Sequence, residues 1–232
     1  FTSENSVATN LSTNSNVRIK NWTFTSENSN AIQVLNNSNL IIENAIVNSK
    51  NVSVYWWTNS TATIKNWTFT SLDSFPIIAG DNSTLTIENW TFNAPSSSAI
   101  GINTNTTLTI ENATVNAKES SIVVETWSTL TIENGTFTSA DNCLIFMNGS
   151  AWRWWNTVTV NWGTFNGNIV SDWFVACGVA ASNNDTVNIN WWTFNIRDWA
   201  WIIARWWTTI LWSGVTFNFT YQNKAFGQLW KR

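Results

Sequence analysis

Seven charged residues gather in the second half of the chain: Asp141, Arg153, Asp172, Asp185, Arg197, Asp198 and Arg205. Carboxylates are the hard oxygen donors that Ca²⁺ prefers, and guanidinium groups pair with acidic ligands. Asp172, Asp185, Arg197, Asp198 and Arg205 are therefore the candidate ligand-binding residues, for a ligand or a cation. The plain alternative is a set of solvated loops. Thr68, Thr91 and Thr136 are a second candidate, able to contact a surface through hydroxyl and methyl groups but not to catalyse. The chain has no His. That removes the commonest general base and metal ligand, and with it any Ser-His-Asp arrangement or His-ligated zinc. No catalytic residue is assigned. A net charge of −3 without a basic stripe argues against nucleic acid as a partner. No apolar run reaches the ~18 residues that a membrane span needs.

The elements that must position these residues follow from one recurring stretch. Leu130 to Phe137 reads LTIENGTF, Leu85 to Phe92 reads LTIENWTF, Leu108 to Val115 reads LTIENATV, and Leu40 to Val47 reads LIIENAIV. The last residue of each copy marks the phase: Phe24, Val47, Phe69, Phe92, Val115, Phe137, Phe165, Phe194 and Phe217. Up to Phe137 the marks recur at a near-constant interval; the next two intervals are longer, and the last is short again. A repeat of this kind means a solenoid, in which no coil can bury its own apolar face. Leu and Ile alternate with Thr and Glu at the period of a strand. A third apolar run follows the mark, as in Ile77-Ile78 and Ile122-Val123-Val124. The expectation is an all-β protein, a parallel β-helix of about nine to ten coils, each of roughly 22 to 29 residues with three short strands. Ile19, Ile42, Ile64, Ile87, Ile110 and Ile132 should form one buried column. Residues 1–232 read as a single domain, regular through 137 and with longer loops over 138–232. Phe1-Thr2-Ser3-Glu4-Asn5 repeats at Phe24-Thr25-Ser26-Glu27-Asn28, so the expectation is a piece of a longer protein.

Asn21, Asn44, Asn66, Asn89, Asn112 and Asn134 stand three residues before the mark. Asn tolerates the left-handed backbone that a sharp corner between strands requires. The LTIENGTF coil, its length, its three strands and its Asn-lined corner resemble the right-handed parallel β-helices of the pectin-lyase-like kind, over the whole chain. That resemblance implies a secreted or cell-surface location and covers polysaccharide lyases and hydrolases, tailspikes and non-catalytic adhesins. A lyase of this kind would use Arg or Lys as base with carboxylates on Ca²⁺, here in the 138–206 loops. Arg18-Ile19-Lys20 resembles a polygalacturonase motif, but the paired-Asp and Gly-His-Gly motifs are missing, and it reads as a strand fragment. A structural or adhesive segment contacting polysaccharide or another surface, extracellular or on the cell surface, is the leading reading. A further one comes from the Thr and Asn on either side of the mark, which resemble the Thr-x-Thr faces of β-helical ice-binding proteins.

Cys143 and Cys177 lack a metal-like spacing and read as two buried thiols in separate coils, or as a disulfide linking coils. The tryptophans are the anomaly: 19 Trp against 9 Gly. Trp22, Trp67, Trp90, Trp127, Trp162 and Trp191 fall at corners and turns, where Gly is the expected residue. Either the chain displays indoles for stacking on sugar rings, or Trp stands where a reassigned UGA codon means Gly. The second reading expects these side chains exposed, with positive φ at several of them.

Overall fold

A computed structural model describes residues 1–148, 155–167, 179–181, 185–196, 202–204, 209–214 and 216–219. Of the sequence candidates, Asp172, Cys177, Arg197, Asp198 and Arg205 lie outside the described residues. Every described strand pairs in parallel with its equivalent one coil away, and the chain stacks into two sheets. The smaller sheet holds nine three-residue strands, among them Ile32–Val34, Ile77–Ala79, Ile122–Val124 and Ile145–Met147. The larger sheet carries the recurring stretch. The continuous stretch 1–148 contains six phase marks and so about six turns; strands of three further coils follow it.

Three strands per coil are distinct in the first coils, as in Asn16–Lys20, Thr23–Ser26 and Ile32–Val34. In the centre the first two run together into strands of 11 residues: Thr61–Ser71, Thr84–Ala94, Thr107–Ala117 and Thr129–Ser139. Each of the first three bends at an Asn with φ between 57° and 69°, at Asn66, Asn89 and Asn112. A left-handed residue turns the chain without breaking the ladder on either side, and Asn adopts it at little cost.

The core is a set of stacked columns. Ile42, Ile64, Ile87, Ile110, Ile132, Val160 and Ile189 are fully buried, and Ile19 in the first of these coils is 8% exposed. Phe24, Val47, Phe69, Phe92, Val115, Phe137 and Phe165 form the second column, and Ile32, Val54, Ile77, Ile100, Ile122, Ile145 and Val179 the third. Each fully buried side chain of this size stabilises by roughly 1.5–3 kcal/mol relative to exposure.

A polar column runs beside them. Ser38, Ser60, Ser83, Thr106, Ser128, Asn156 and Asp185 are all buried. Several of these oxygens accept the backbone N–H of the equivalent residue one coil earlier. Ser38 N–H donates to Ser60 Oγ at 3.3 Å, Ser60 N–H to Ser83 Oγ at 3.2 Å, and Thr106 N–H to Ser128 Oγ at 3.1 Å. Ser128 N–H donates to Asn156 Oδ1 at 2.9 Å, and Asn156 N–H to Asp185 Oδ1 at 2.9 Å. The hydroxyls also donate to turn carbonyls, Thr106 to Gly80 and Ser128 to Asn103. An orphaned buried N–H costs about 1–3 kcal/mol, so this column satisfies the turn that strand pairing leaves open. Asp185 is therefore a structural acceptor in the core. This residue is also one of the candidate ligand-binding carboxylates.

The cysteine and tryptophan expectations are also decided in part. Cys143 is buried and disulfide-bonded rather than a free thiol. Trp22, Trp127, Trp162 and Trp191 are exposed as expected, but Trp67 and Trp90 are buried, each 3% exposed. These two sit two residues before the mark and so point inward with it, stacking on Phe69 and Phe92 at ring separations of 5.1 Å.

Candidate functional site

The outer face of the larger sheet is the most regular surface of the described residues. Residues flanking the phase mark alternate outward while the mark points in. The pairing runs without a slip from Thr23 to Thr216: Thr23↔Ile46, Ile46↔Thr68, Thr68↔Thr91, Thr91↔Thr114, Thr114↔Thr136, Thr136↔Thr164, Thr164↔Thr193 and Thr193↔Thr216. Thr68, Thr91 and Thr136 thus share one column, as expected. Two residues on stands a mixed column of Thr25, Asn48, Thr70, Asn93, Asn116, Thr138, Asn166 and Asn195. Its amides bond along the axis, Asn116 Nδ2 donating to Asn93 Oδ1 at 3.1 Å and Asn195 Nδ2 to Asn166 Oδ1 at 2.8 Å.

The first strand carries a cleaner array that the sequence reading passed over. Thr61/Thr63, Thr84/Thr86, Thr107/Thr109, Thr129/Thr131 and Thr157/Thr159 pair in register through five successive coils. Leu, Ile, Val and Ala between and beside them are buried, so every one of these threonines faces out. Members of a pair are about 6.5–7 Å apart and successive pairs ~4.8 Å apart. The signal was the recurring Thr-x-Thr of TLTIE itself.

A charged column runs between the two arrays in the early coils, with Arg18 beside it in the first strand's own outward column. Lys20 Nζ lies 2.7 Å and Arg18 Nη2 2.6 Å from the Glu43 carboxylate, and Lys65 Nζ lies 2.7 Å from Glu88. The hydrogen bond from Lys20, then that from Arg18, holds the Glu43 carboxyl below its ordinary range. Glu88 in turn raises Lys65. Further along, Glu88, Asn89, Glu111, Asn112, Glu133 and Asn134 line a shallow, open groove of about 390 Å³. Its carboxylates do not converge: among the described residues no three His, Cys, Asp or Glu side chains are placed to hold a metal ion. Glu133 Oε2 accepts instead from Asn161 Nδ2 at 2.8 Å. Beyond it Asn190 Nδ2 donates to Asn161 Oδ1 and Ser213 Oγ to Asn190 Oδ1. What the face offers is uncharged hydroxyl, methyl and amide contact over many coils.

Aromatic rings at the corners add exposed surface. Trp127, Trp155, Trp162 and Trp191 are exposed, and Trp162 stacks on Trp191 with centroids 5.5 Å apart and planes within 8°. No helix among the described residues is long and apolar enough to cross a membrane.

Residues 7–162 match the family model described as the right handed beta helix region. No curated protein and no solved structure matches the chain. By that match, over more than half of its length, the chain belongs to the right-handed β-helix family, and its strands pair in parallel coil to coil.

Proposed function

We propose that this chain is a structural, adhesive β-helical segment of a secreted or cell-surface protein that lays its Thr/Asn face on polysaccharide or another repeating surface. The unbroken register of outward Thr and Asn carries the reading: a flat uncharged lattice suits a partner that repeats along the same direction. The disulfide at Cys143 suits an oxidising compartment. A lyase-like site in residues 138–206 is the competing proposal, with Asp185 buried in it and accepting from the Asn156 N–H. Co-sedimentation of the purified chain with insoluble cellulose, chitin and acidic polysaccharide gel tests the contact. Binding that survives chelation and is lost in Thr91→Tyr/Thr136→Tyr supports adhesion. Chelator-sensitive release of unsaturated sugar would establish the lyase instead, and no retention on any polymer would remove the polysaccharide partner.

The five-coil Thr-x-Thr array favours a second reading, contact with ice, because ice is itself a lattice that an uncharged rank of methyls and hydroxyls can order against. Thermal hysteresis and ice shaping by the purified chain, abolished in Thr86→Tyr/Thr109→Tyr, is the expected result. Ice growth indistinguishable from buffer would end that reading while leaving adhesion untouched.

A further inference from the structure

Most described coils contain two corners whose backbone is left-handed; Asn134 and Trp162 are exceptions. At the first, φ is 61° at Asn14, 58° at Asn37, 58° at Asn59, 56° at Asn82, 55° at Asn105 and 63° at Trp127. At the second it is 57° at Asn21, 53° at Asn44, 57° at Asn66, 58° at Asn89, 69° at Asn112, 54° at Trp191 and 62° at Gly214. Every occupant except two is Asn or Gly, the residues that enter this region cheaply. A bulky side chain there is strained. Burial does not compensate, since Trp127 is 58% and Trp191 55% exposed.

Register supplies a second, independent observation. Trp57 occupies the turn slot filled one coil later by Gly80, where a Cβ would lie 2.6 Å from the Trp56 carbonyl oxygen. Trp67, Trp90 and Trp192 occupy the slot filled elsewhere by Ala45, Ala113, Gly135 and Gly163, with Trp90↔Ala113 and Gly163↔Trp192 paired directly. At Gly163 a Cβ would lie 2.3 Å from the Gly135 oxygen. The buried indole nitrogens of Trp56 and Trp67 have no acceptor, although buried tryptophan normally finds one, and Trp90 Nε1 does donate to the Ile64 carbonyl at 2.9 Å. At the left-handed positions no residue of intermediate size stands between Asn or Gly and Trp, whereas the slot of Trp67 and Trp90 also admits Ala45 and Ala113. A change of codon meaning passes straight from the smallest to the largest.

We infer that Trp127 and Trp191, and with them the turn and corner tryptophans in register with glycine, are glycines in the protein its own organism makes. They are encoded by UGA, a codon that one variant code reads as tryptophan and another as glycine. Both left-handed columns then consist of Asn and Gly throughout. The exposed Trp162–Trp191 stack is no sugar platform of the native surface, and contact falls to the threonine and asparagine lattice.

The coding DNA decides it: UGA is expected at codons 127 and 191, and UGG at either overturns the inference. Tandem mass spectrometry of the protein from its source should read glycine at both. In the recombinant chain as written, Trp127→Gly/Trp191→Gly should raise the thermal midpoint by roughly 4–8 °C, the size set by relieving two left-handed bulky residues in a chain of this length. Trp127→Ala/Trp191→Ala removes the indoles but leaves a Cβ at positive φ, and should recover only part of that rise. A Gly double variant no more stable than the Ala one overturns the strain argument.

Discussion

The coils before and after Phe137 share a core but not a corner. Before it, the marks from Phe24 to Phe137 recur at a near-constant interval and the chain turns on a left-handed Asn. After it the intervals to Phe165 and Phe194 widen. The corners that turn differently are those of the coils ending at Phe137 and Phe165, and left-handed corners return at Trp191 and Gly214. Asn134 and Trp162 are not left-handed; Gly135 and Gly163 carry φ of 158° and 143° instead, and the ladder slips between Ile110 and Ala113 where the change begins. Yet Ile132↔Val160 and Phe137↔Phe165 stay in register, with Val160 and Phe165 fully buried. The difference teaches which feature defines a coil. The inward columns are kept through insertions of about five or six residues, as expected when lengthening a loop costs little entropy. Corner chemistry and outward charge vary freely.

The sharpest way to break that comparison is to cut the same column on both sides. Ile110→Ala and Ile189→Ala each truncate a fully buried side chain. Each should cost about 2–5 kcal/mol in urea denaturation. Equal losses mean one continuous core. A loss under ~1 kcal/mol at Ile189 would mean that the later coils do not share in the cooperative unit, as nearest-neighbour solenoids allow.

The polar column gives the next largest effect. Ser128→Ala strands the Thr106 N–H and should cost about 1–3 kcal/mol. Asp185→Ala strands the Asn156 N–H in the same way, whereas Asp185→Asn keeps an acceptor and should cost less. The melting midpoint of all three should be indifferent to added Ca²⁺. A Ca²⁺-dependent midpoint in the unaltered chain that Asp185→Asn abolishes would return Asp185 to ligand binding.

How far the sequence reaches is clear from these same residues. The Ile column was legible because alternation and a near-constant period leave one inward face. The inward placement of Trp67 and Trp90 was equally available, since a position two before an inward Phe faces the same way. Their size and turn-like context pointed outward instead. Asp185 stands nine residues before Phe194, the slot that holds Ser, Thr or Asn in every earlier coil. Counting back from the mark identifies it as a core acceptor, but a carboxylate among Asp and Arg residues invites a chemical reading. The disulfide at Cys143 could not be read, because pairing depends on the path of inserted segments that obey no period. The outward arrays were half legible: the one beside the mark was found, while the Thr-x-Thr array of the first strand was taken only as strand alternation.

The smallest effect separates the two regions by charge. In the slot four before the mark the early coils carry Lys20, Glu43, Lys65 and Glu88, paired across coils, while the later ones carry Asn161, Asn190 and Ser213, of which Asn161 still donates to the Glu133 carboxylate and Asn190 and Ser213 bond only to amides. Glu43 is depressed in the folded chain by Lys20 and Arg18, so it binds protons less readily folded than unfolded. Its contribution is complete above the ordinary carboxylate range and is lost as pH falls through the depressed value. Lys65 is raised by Glu88, so its contribution is complete below the ordinary lysine range and is lost as pH rises through the raised value. Both pairs are exposed and therefore screened by salt. Hydrogen exchange read coil by coil should show protection around Lys20 and Glu43 falling slightly, both on acidification below the carboxylate range and in high salt. Protection around Asn190, whose partners Asn161 and Ser213 carry no charge, should be unmoved by either. Glu43→Gln should abolish the acid response of the early coils and leave the later ones as they were. An acid response of the same size at Asn190 would show that charge in this column does not distinguish the two regions.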